Sequence, residues 1–271
     1  MRVPVAEGVS LHAERREGDG PPVLLVHGLG SNLRLWDGVA DALADQGHDV
    51  VAVDLRGHGG SDGPDGGYDL PTVAGDLERL VAALGLDRPF VAGQSWGGNV
   101  VLELAWSAPD RVRGVACVDG GWIDLQGRFP DWDSCLAALT PPAIEGMRFD
   151  ELEAFFRRQH PDWPESGITG ALACFERRPD DTAARRCTIP HHLAALRGLW
   201  DVRPGTRYPD VRAPVLLVPA GPGRERSRVE VAAAEAALPH STTRWLDGDH
   251  DLHAQQPTVV AALLADAMAA A

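Results

Sequence analysis

Short apolar runs alternate with amphipathic stretches along most of the chain. Residues 22–27 (Pro-Val-Leu-Leu-Val-His), 50–54 (Val-Val-Ala-Val-Asp) and 90–93 (Phe-Val-Ala-Gly) are apolar, rich in β-branched side chains and closed by glycine-containing turns. Such runs predict strands covered on both faces, as in a parallel sheet. Helical spacing fills the gaps. Leu35, Val39 and Leu43 lie four apart and stop near Gly47; Val73, Leu77, Leu80, Val81 and Leu84 stop at Gly85; residues 100–108 run into Pro109. Further strands are predicted at 112–118, 214–218 and 243–246, and an antiparallel opening pair at 2–6 and 9–16 around Glu7 and Gly8. Strands alternating with helices predict an α/β chain: a mostly parallel twisted sheet with helices on both faces.

The alternation breaks between residues 122 and 208. That stretch holds no strand-like run, only helix-like pieces at 150–159, 170–176 and 191–199 between proline-rich joints, with Trp122, Phe129, Trp132, Phe155, Phe156, Trp163 and Trp200 among them. The reading is a core formed by 1–121 and 209–271, interrupted by an inserted helical cap at 122–208. The 14 residues at 258–271 are apolar but too short to span a bilayer and include Asp266, so they are read as a surface helix.

Composition removes several chemistries. All 25 basic residues are arginine, against 39 acidic residues, for a net charge of −14. Without lysine, Schiff-base and pyridoxal-phosphate mechanisms, the P-loop and the kinase strand lysine are excluded. The acidic balance argues against nucleic acid or an anionic membrane as partner. The first residues contain no apolar stretch of the signal-peptide kind. Cys117, Cys135, Cys174 and Cys187 are scattered without a CxxC pair, which suits reduced thiols. These features predict a cytoplasmic protein acting on a small molecule, with no metal or other cofactor; oligomeric state is left open.

Residues 93–97 read Gly-Gln-Ser-Trp-Gly, a G-x-S-x-G sequence that follows an apolar strand and opens an apolar helix. A serine on that tight turn stands clear of the sheet, and the following helix aims free backbone N–H groups at a developing oxyanion. Three more segments accompany it: His27-Gly28-Leu29-Gly30, the run at 54–61 (Asp-Leu-Arg-Gly-His-Gly-Gly-Ser), and Gly248-Asp249-His250. In their order and spacing, over nearly the whole chain, these resemble the capped serine hydrolases of the α/β-hydrolase superfamily. The resemblance implies Ser95 as nucleophile and the backbone N–H groups of Leu29 and Trp96 as the oxyanion hole. It implies mainly structural duties for Asp54, Arg56 and His58.

A serine hydroxyl needs a base. His250 follows the last predicted strand and precedes the C-terminal helix, which is where similar hydrolases carry their histidine; His253 is its rival. Asp249 and Asp251, which flank His250, are read as local charges. The third member departs from the commonest family pattern, because the loop at 219–227 contains no Asp. Its carboxylate is Glu225, flanked by Arg224 and Arg226 as ion-pair partners. The other choice is Asp119, in a glycine-flanked turn straight after an apolar strand. Asp119 is preferred and Glu225 is kept as the alternative acid. Haloalkane dehalogenases and epoxide hydrolases of this fold carry Asp at the elbow, so Ser95 points to acyl transfer. The expectation is a carboxylesterase acting on a small, mostly apolar substrate, with Trp96 and Trp122 in the pocket. Thioester, lactone and diketone C–C cleavage on the same triad are the alternatives, and a non-catalytic binding protein is a further one. An uncharged ester is expected over an acidic one unless an arginine such as Arg128 or Arg148 enters the pocket.

Overall fold

The computed structural model of the protein describes residues 1–144, 146–221 and 225–271, without the Arg226 side chain. Its strands are β1 (Arg2–Ala6), β2 (Val9–Arg16), β3 (Pro22–Val26), β4 (Asp49–Asp54), β5 (Phe90–Gln94), β6 (Gly114–Val118), β7 (Phe175–Arg177), β8 (Ala183–Arg185), β9 (Val215–Val218) and β10 (Ser241–Thr243). Eight of them form one sheet in the order β1-β2-β4-β3-β5-β6-β9-β10. Strands β1 and β2 pair antiparallel, and β2 joins β4 antiparallel. The other pairings are parallel.

The helices are α1 (Asp37–Ala44), α2 (Leu70–Ala83), α3 (Trp96–Ser107), α4 (Leu125–Arg128), α5 (Trp132–Leu139), α6 (Phe149–Gln159), α7 (Glu165–Leu172), α8 (Ile189–Trp200), α9 (Glu225–Ala237), α10 (Leu252–Gln255) and α11 (Pro257–Ala270). The period-two geometry of a strand sends alternate side chains to opposite cores. In β3, Leu24 and Val26 pack with α2 and α3 residues such as Leu77 and Val101, whereas Val23 and Leu25 pack with Val39, Leu43, Val260 and Leu264 of α1 and α11. Both faces are therefore covered, which is why these strands read as continuous apolar runs. No described helix is long and apolar enough to cross a membrane.

Three expectations require correction. The segment at 122–208 contains strands after all: β7 and β8 form an antiparallel hairpin. Each is three residues long and carries no β-branched side chain. Their turn is held by Arg178 N–H to Thr182 O at 2.8 Å, with Asp181 at φ 64°. The helix expected at 170–176 lies earlier, at α7, and chain that was read as helix enters β7. Helices α4 and α5 were not anticipated; each is started by an aspartate, Asp124 or Asp131, whose carboxylate caps a free backbone N–H. At the sheet edge, β10 begins two residues before the expected 243–246. The apolar pair Trp245-Leu246 marked the wrong place, and only a single bridge joins Leu246 to Ala220.

Candidate active site

The elbow joins β5 to α3. Ser95 sits at φ 53°, ψ −122°, a sparsely populated region held because its N–H donates to Val118 O at 2.9 Å and its carbonyl accepts from Gly98 N at 2.9 Å. The flanking glycines are dictated by contact. A Cβ on Gly93 would lie 2.2 Å from Gly97 O, and one on Gly97 would lie 2.4 Å from His27 O.

Asp119 follows β6, the neighbour of β5, at φ 42°, a conformation that a short polar side chain tolerates. Its Oδ1 accepts from Ala220 N at 3.0 Å, and its Oδ2 accepts from His250 Nδ1 at 2.5 Å. The Asp119 side chain is 8 % exposed and that of His250 47 % exposed, so a fixed carboxylate orients a reachable imidazole. Gln94 Nε2 donates to His250 O at 3.2 Å and ties the histidine loop to the elbow. Sequence reasoning missed Gln94, although it occupies a variable place in the serine motif.

Glu225 is exposed in the first turn of α9. Arg224 and the Arg226 side chain, expected to pair with it, lie outside the described residues. His253 is fully buried, packs its ring 4.4 Å from that of Trp36, and is pushed down to about 3 by burial.

Ser95 and His250 line one cavity of about 260 Å³ together with Leu29 and Gly30. A Cβ on Gly28 would lie 3.1 Å from Ser95 Cβ, so the loop carrying Leu29 runs against the elbow. His58 fixes that loop. Its Nε2 accepts from Gly30 N at 3.0 Å and its Nδ1 donates to Arg56 O at 2.8 Å. Burial holds His58 down at about 3, so the ring stays a neutral acceptor. His27 is buried in the same manner, with Nε2 accepting from Leu55 N at 2.9 Å, and its pKa is lowered. Asp54 accepts from Leu33 N and Gly60 N at 2.8 Å each, and its carboxyl is held below the usual range although burial opposes this; the His12 hydrogen bond at 3.0 Å is the largest favourable cause. Arg56 forms a buried pair with Asp76. These residues brace the loops around the cavity.

The pocket assignment of Trp96 and Trp122 is corrected by their burial. They are 1 % and 3 % exposed, belong to the core on the α2–α3 side of the sheet, and do not line the cavity. Trp96 stacks on His58, with ring centroids 5.4 Å apart. The aromatic walls come instead from Phe156, Trp163 and Phe175, with His160 beside them. These lie in and beside α6, α7 and β7, where spacing alone could not separate wall from filler. Asp251, read from sequence as a local charge, lines the same cavity, and Asp249 accepts from Trp163 Nε1 at 3.3 Å. Arg128 is engaged with Glu230 through two hydrogen bonds of 2.8 and 2.7 Å, and Arg148 with Asp150 and Asp181; neither reaches the cavity. A larger open depression of about 660 Å³, around Trp106, Pro209, Arg212 and His240, lies toward the opposite ends of the strands and contains none of these groups.

The family model described as the alpha/beta hydrolase fold matches residues 21–159. The 2-(acetamidomethylene)succinate hydrolase of Mesorhizobium japonicum is 31 % identical over 229 residues, covering 82 % of this chain and 77 % of that protein. An uncharacterized protein of Mycobacterium tuberculosis is 36 % identical over 124 residues, 44 % of this chain, and the match spans only 36 % of its length. The soluble epoxide hydrolase of Corynebacterium sp. is 34 % identical over 163 residues, 59 % of this chain and 52 % of its own. Among solved structures, E-2-(acetamidomethylene)succinate hydrolase superposes with a TM-score of 0.82 at 24 % identity, covering 99 % of this chain and 98 % of that one. The thioesterase domain from the curacin biosynthetic pathway gives 0.78 at 18 % identity, with 98 % of both chains covered. With the sheet, the elbow and these matches together, the chain belongs to the alpha/beta hydrolase fold family.

Proposed function

We propose that this hydrolase cleaves a carboxylic ester of a small, mostly apolar substrate through an acyl-enzyme on Ser95. The observation that carries the reading is the 2.5 Å Asp119–His250 pair on a cavity that Ser95 also lines. His250 Nε2 takes the Ser95 proton as Oγ bonds to the carbonyl carbon. The N–H groups of Leu29 and Trp96 hold the oxyanion, and the alcohol leaves with the proton from His250. Water then attacks the acyl-enzyme by the same route and releases the acid. Asp119, not Glu225, keeps the imidazole in its working tautomer. The segment at 122–208 acts as the cap, supplying Phe156, Trp163 and Phe175 to the substrate cavity, whose other walls include Leu29 and Leu35.

Relatives named as an epoxide hydrolase and, in Burkholderia sp., a fluoroacetate dehalogenase are 34 % and 38 % identical over parts of this chain. Serine at the elbow separates this chain from the aspartate chemistry of those enzymes. The test is a panel of aryl esters, thioesters, lactones and diketones against wild type and Ser95→Ala, together with fluorophosphonate labelling. Ester turnover and labelling that both vanish in Ser95→Ala are expected. Turnover that survives the substitution refutes the proposal, and activity confined to diketones moves it to C–C cleavage.

A further inference from the structure

The catalytic cavity is apolar on most sides, yet one carboxylate, that of Asp251, lines it beside His250 and His160. In its wall Ser31 Oγ and His160 Nδ1 are buried, with no hydrogen-bond partner among the described residues. Asp251 lines the cavity next to His250, and among the described residues no hydrogen bond or ion pair reaches its carboxylate. Although Asp251 directly precedes the short helix α10, its side chain does not cap that helix. A carboxylate without a protein partner in a mostly apolar cavity is open to a ligand that donates to it.

The charges around Asp251 sharpen the chemistry of that ligand. Its electrostatic neighbours are His250, His160, Asp119 and Asp249. Asp119 is engaged with His250, while Asp249 takes Trp163 Nε1 and lies 3.5 Å from His160 Nδ1. Burial pushes the Asp251 carboxyl above the usual carboxylate range, the mark of a charge short of partners. Among the described residues no arginine lines the cavity, and the chain has no lysine. An anionic substrate would face a carboxylate with no arginine or lysine beside it.

Building on the esterase reading, we propose that Asp251 is a specificity-determining residue that selects esters bearing a hydrogen-bond donor, an amine or hydroxyl, on an otherwise apolar chain, and rejects carboxylates. The selection arises because a donor satisfies the carboxylate while an acid is repelled by it, and discrimination built on a polar group in the cavity wall exceeds that from apolar contact alone.

The experiment compares three p-nitrophenyl esters of equal chain length: 6-aminohexanoate, hexanoate and the adipate monoester. The expected ratio of kcat/KM for aminohexanoate over adipate is at least about 100 in wild type. Asp251→Asn, which keeps the shape and removes the charge, is expected to reduce that ratio at least about tenfold, mostly through KM. A ratio near one in wild type, or one unmoved by Asp251→Asn, overturns the proposal. A second readout needs no turnover: calorimetric binding of hexylamine and of hexanoate to the Ser95→Ala protein. Hexylammonium should bind at least about tenfold tighter, and the preference should vanish when Asp251→Asn is added. Equal binding of the two overturns the selection even if esters are cleaved. Ester hydrolysis that persists in Ser95→Ala counts against the catalytic reading alone.

Discussion

Replacing Asp119 with asparagine tests the proposed acid with little change of shape. Asparagine tolerates the φ of 42° at this position, so the turn after β6 should keep its form. The hydrogen bonding cannot be kept. In the wild type, Oδ1 accepts from Ala220 N and Oδ2 accepts from His250 Nδ1. An amide has one accepting oxygen. If it stays with Ala220, its NH2 group faces Nδ1, and the imidazole turns to the tautomer with its proton on Nε2, which cannot take a proton from Ser95. A charge pair about 4 Å between centres is worth about 4 kcal/mol at an effective dielectric near 20. That is an upper bound for the electrostatic part, because nearly half of the His250 side chain is exposed. With the tautomer effect added, kcat should fall by about 10³–10⁴, or about 4–5.5 kcal/mol of barrier. Glu225→Gln, in an exposed first turn, should stay within about twofold. Steady-state kinetics on an aryl ester with both variants, alongside urea unfolding to confirm folding, reads the result. Asp119→Asn retaining a tenth or more of wild-type kcat would refute the assignment, and a larger loss in Glu225→Gln would transfer it.

Acid should weaken the fold through His58 and His253, both held at about 3 by burial against about 6.5 in an unfolded chain. Between those values the unfolded chain binds the protons that the folded one refuses, so stability is full above about 6.5 and falls as pH drops toward 3. Each contributes a loss of about 2–3 kcal/mol by pH 4.5, measurable by urea unfolding across pH, and a flat stability profile over that window contradicts it. Neither ring nitrogen of His253 has a hydrogen-bond partner among the described residues, so His253→Phe should shrink the acid loss by about half, and an unchanged loss would acquit this residue. Asp76→Ala leaves the buried Arg56 guanidinium without its carboxylate and should cost about 3–5 kcal/mol; a change under 1 kcal/mol in the same assay would show that solvent reaches the pair. His58→Phe removes the acceptor for Gly30 N–H and should lower kcat more than it raises KM, because it loosens the oxyanion loop; an effect on KM alone would dissociate His58 from that loop.

Much of the architecture was legible because it rests on local rules. The doubly covered strands β3, β4 and β5 announce themselves as apolar runs, and α2 by its spacing and its glycine stop. The elbow is local in part: a side chain on Gly93 would strike Gly97 O, so the sequence around Ser95 carries some of its own geometry, whereas Gly97 is pressed by His27 O from the end of β3. The two three-residue strands β7 and β8 carried no such mark, since so short a hairpin draws on its surroundings rather than on propensity.

What the chain order could not decide is which distant groups share a cavity. Asp119 and His250 are 131 residues apart, and both a strand-end aspartate and a loop glutamate satisfied the chemistry. The pairing of β6 between β5 and β9 brings the aspartate beside the histidine loop. Tertiary packing likewise turned Trp96 and Trp122 into core and made walls of Phe156, Trp163 and Phe175. It also brought Asp251 to the cavity, because the turn after His250 faces inward. Residue type and spacing determined the reaction class that the chain can support. The folded arrangement brought Asp119 to His250 and set the cavity walls, because hydrogen bonds and burial depend on distances in space, which the linear order does not contain.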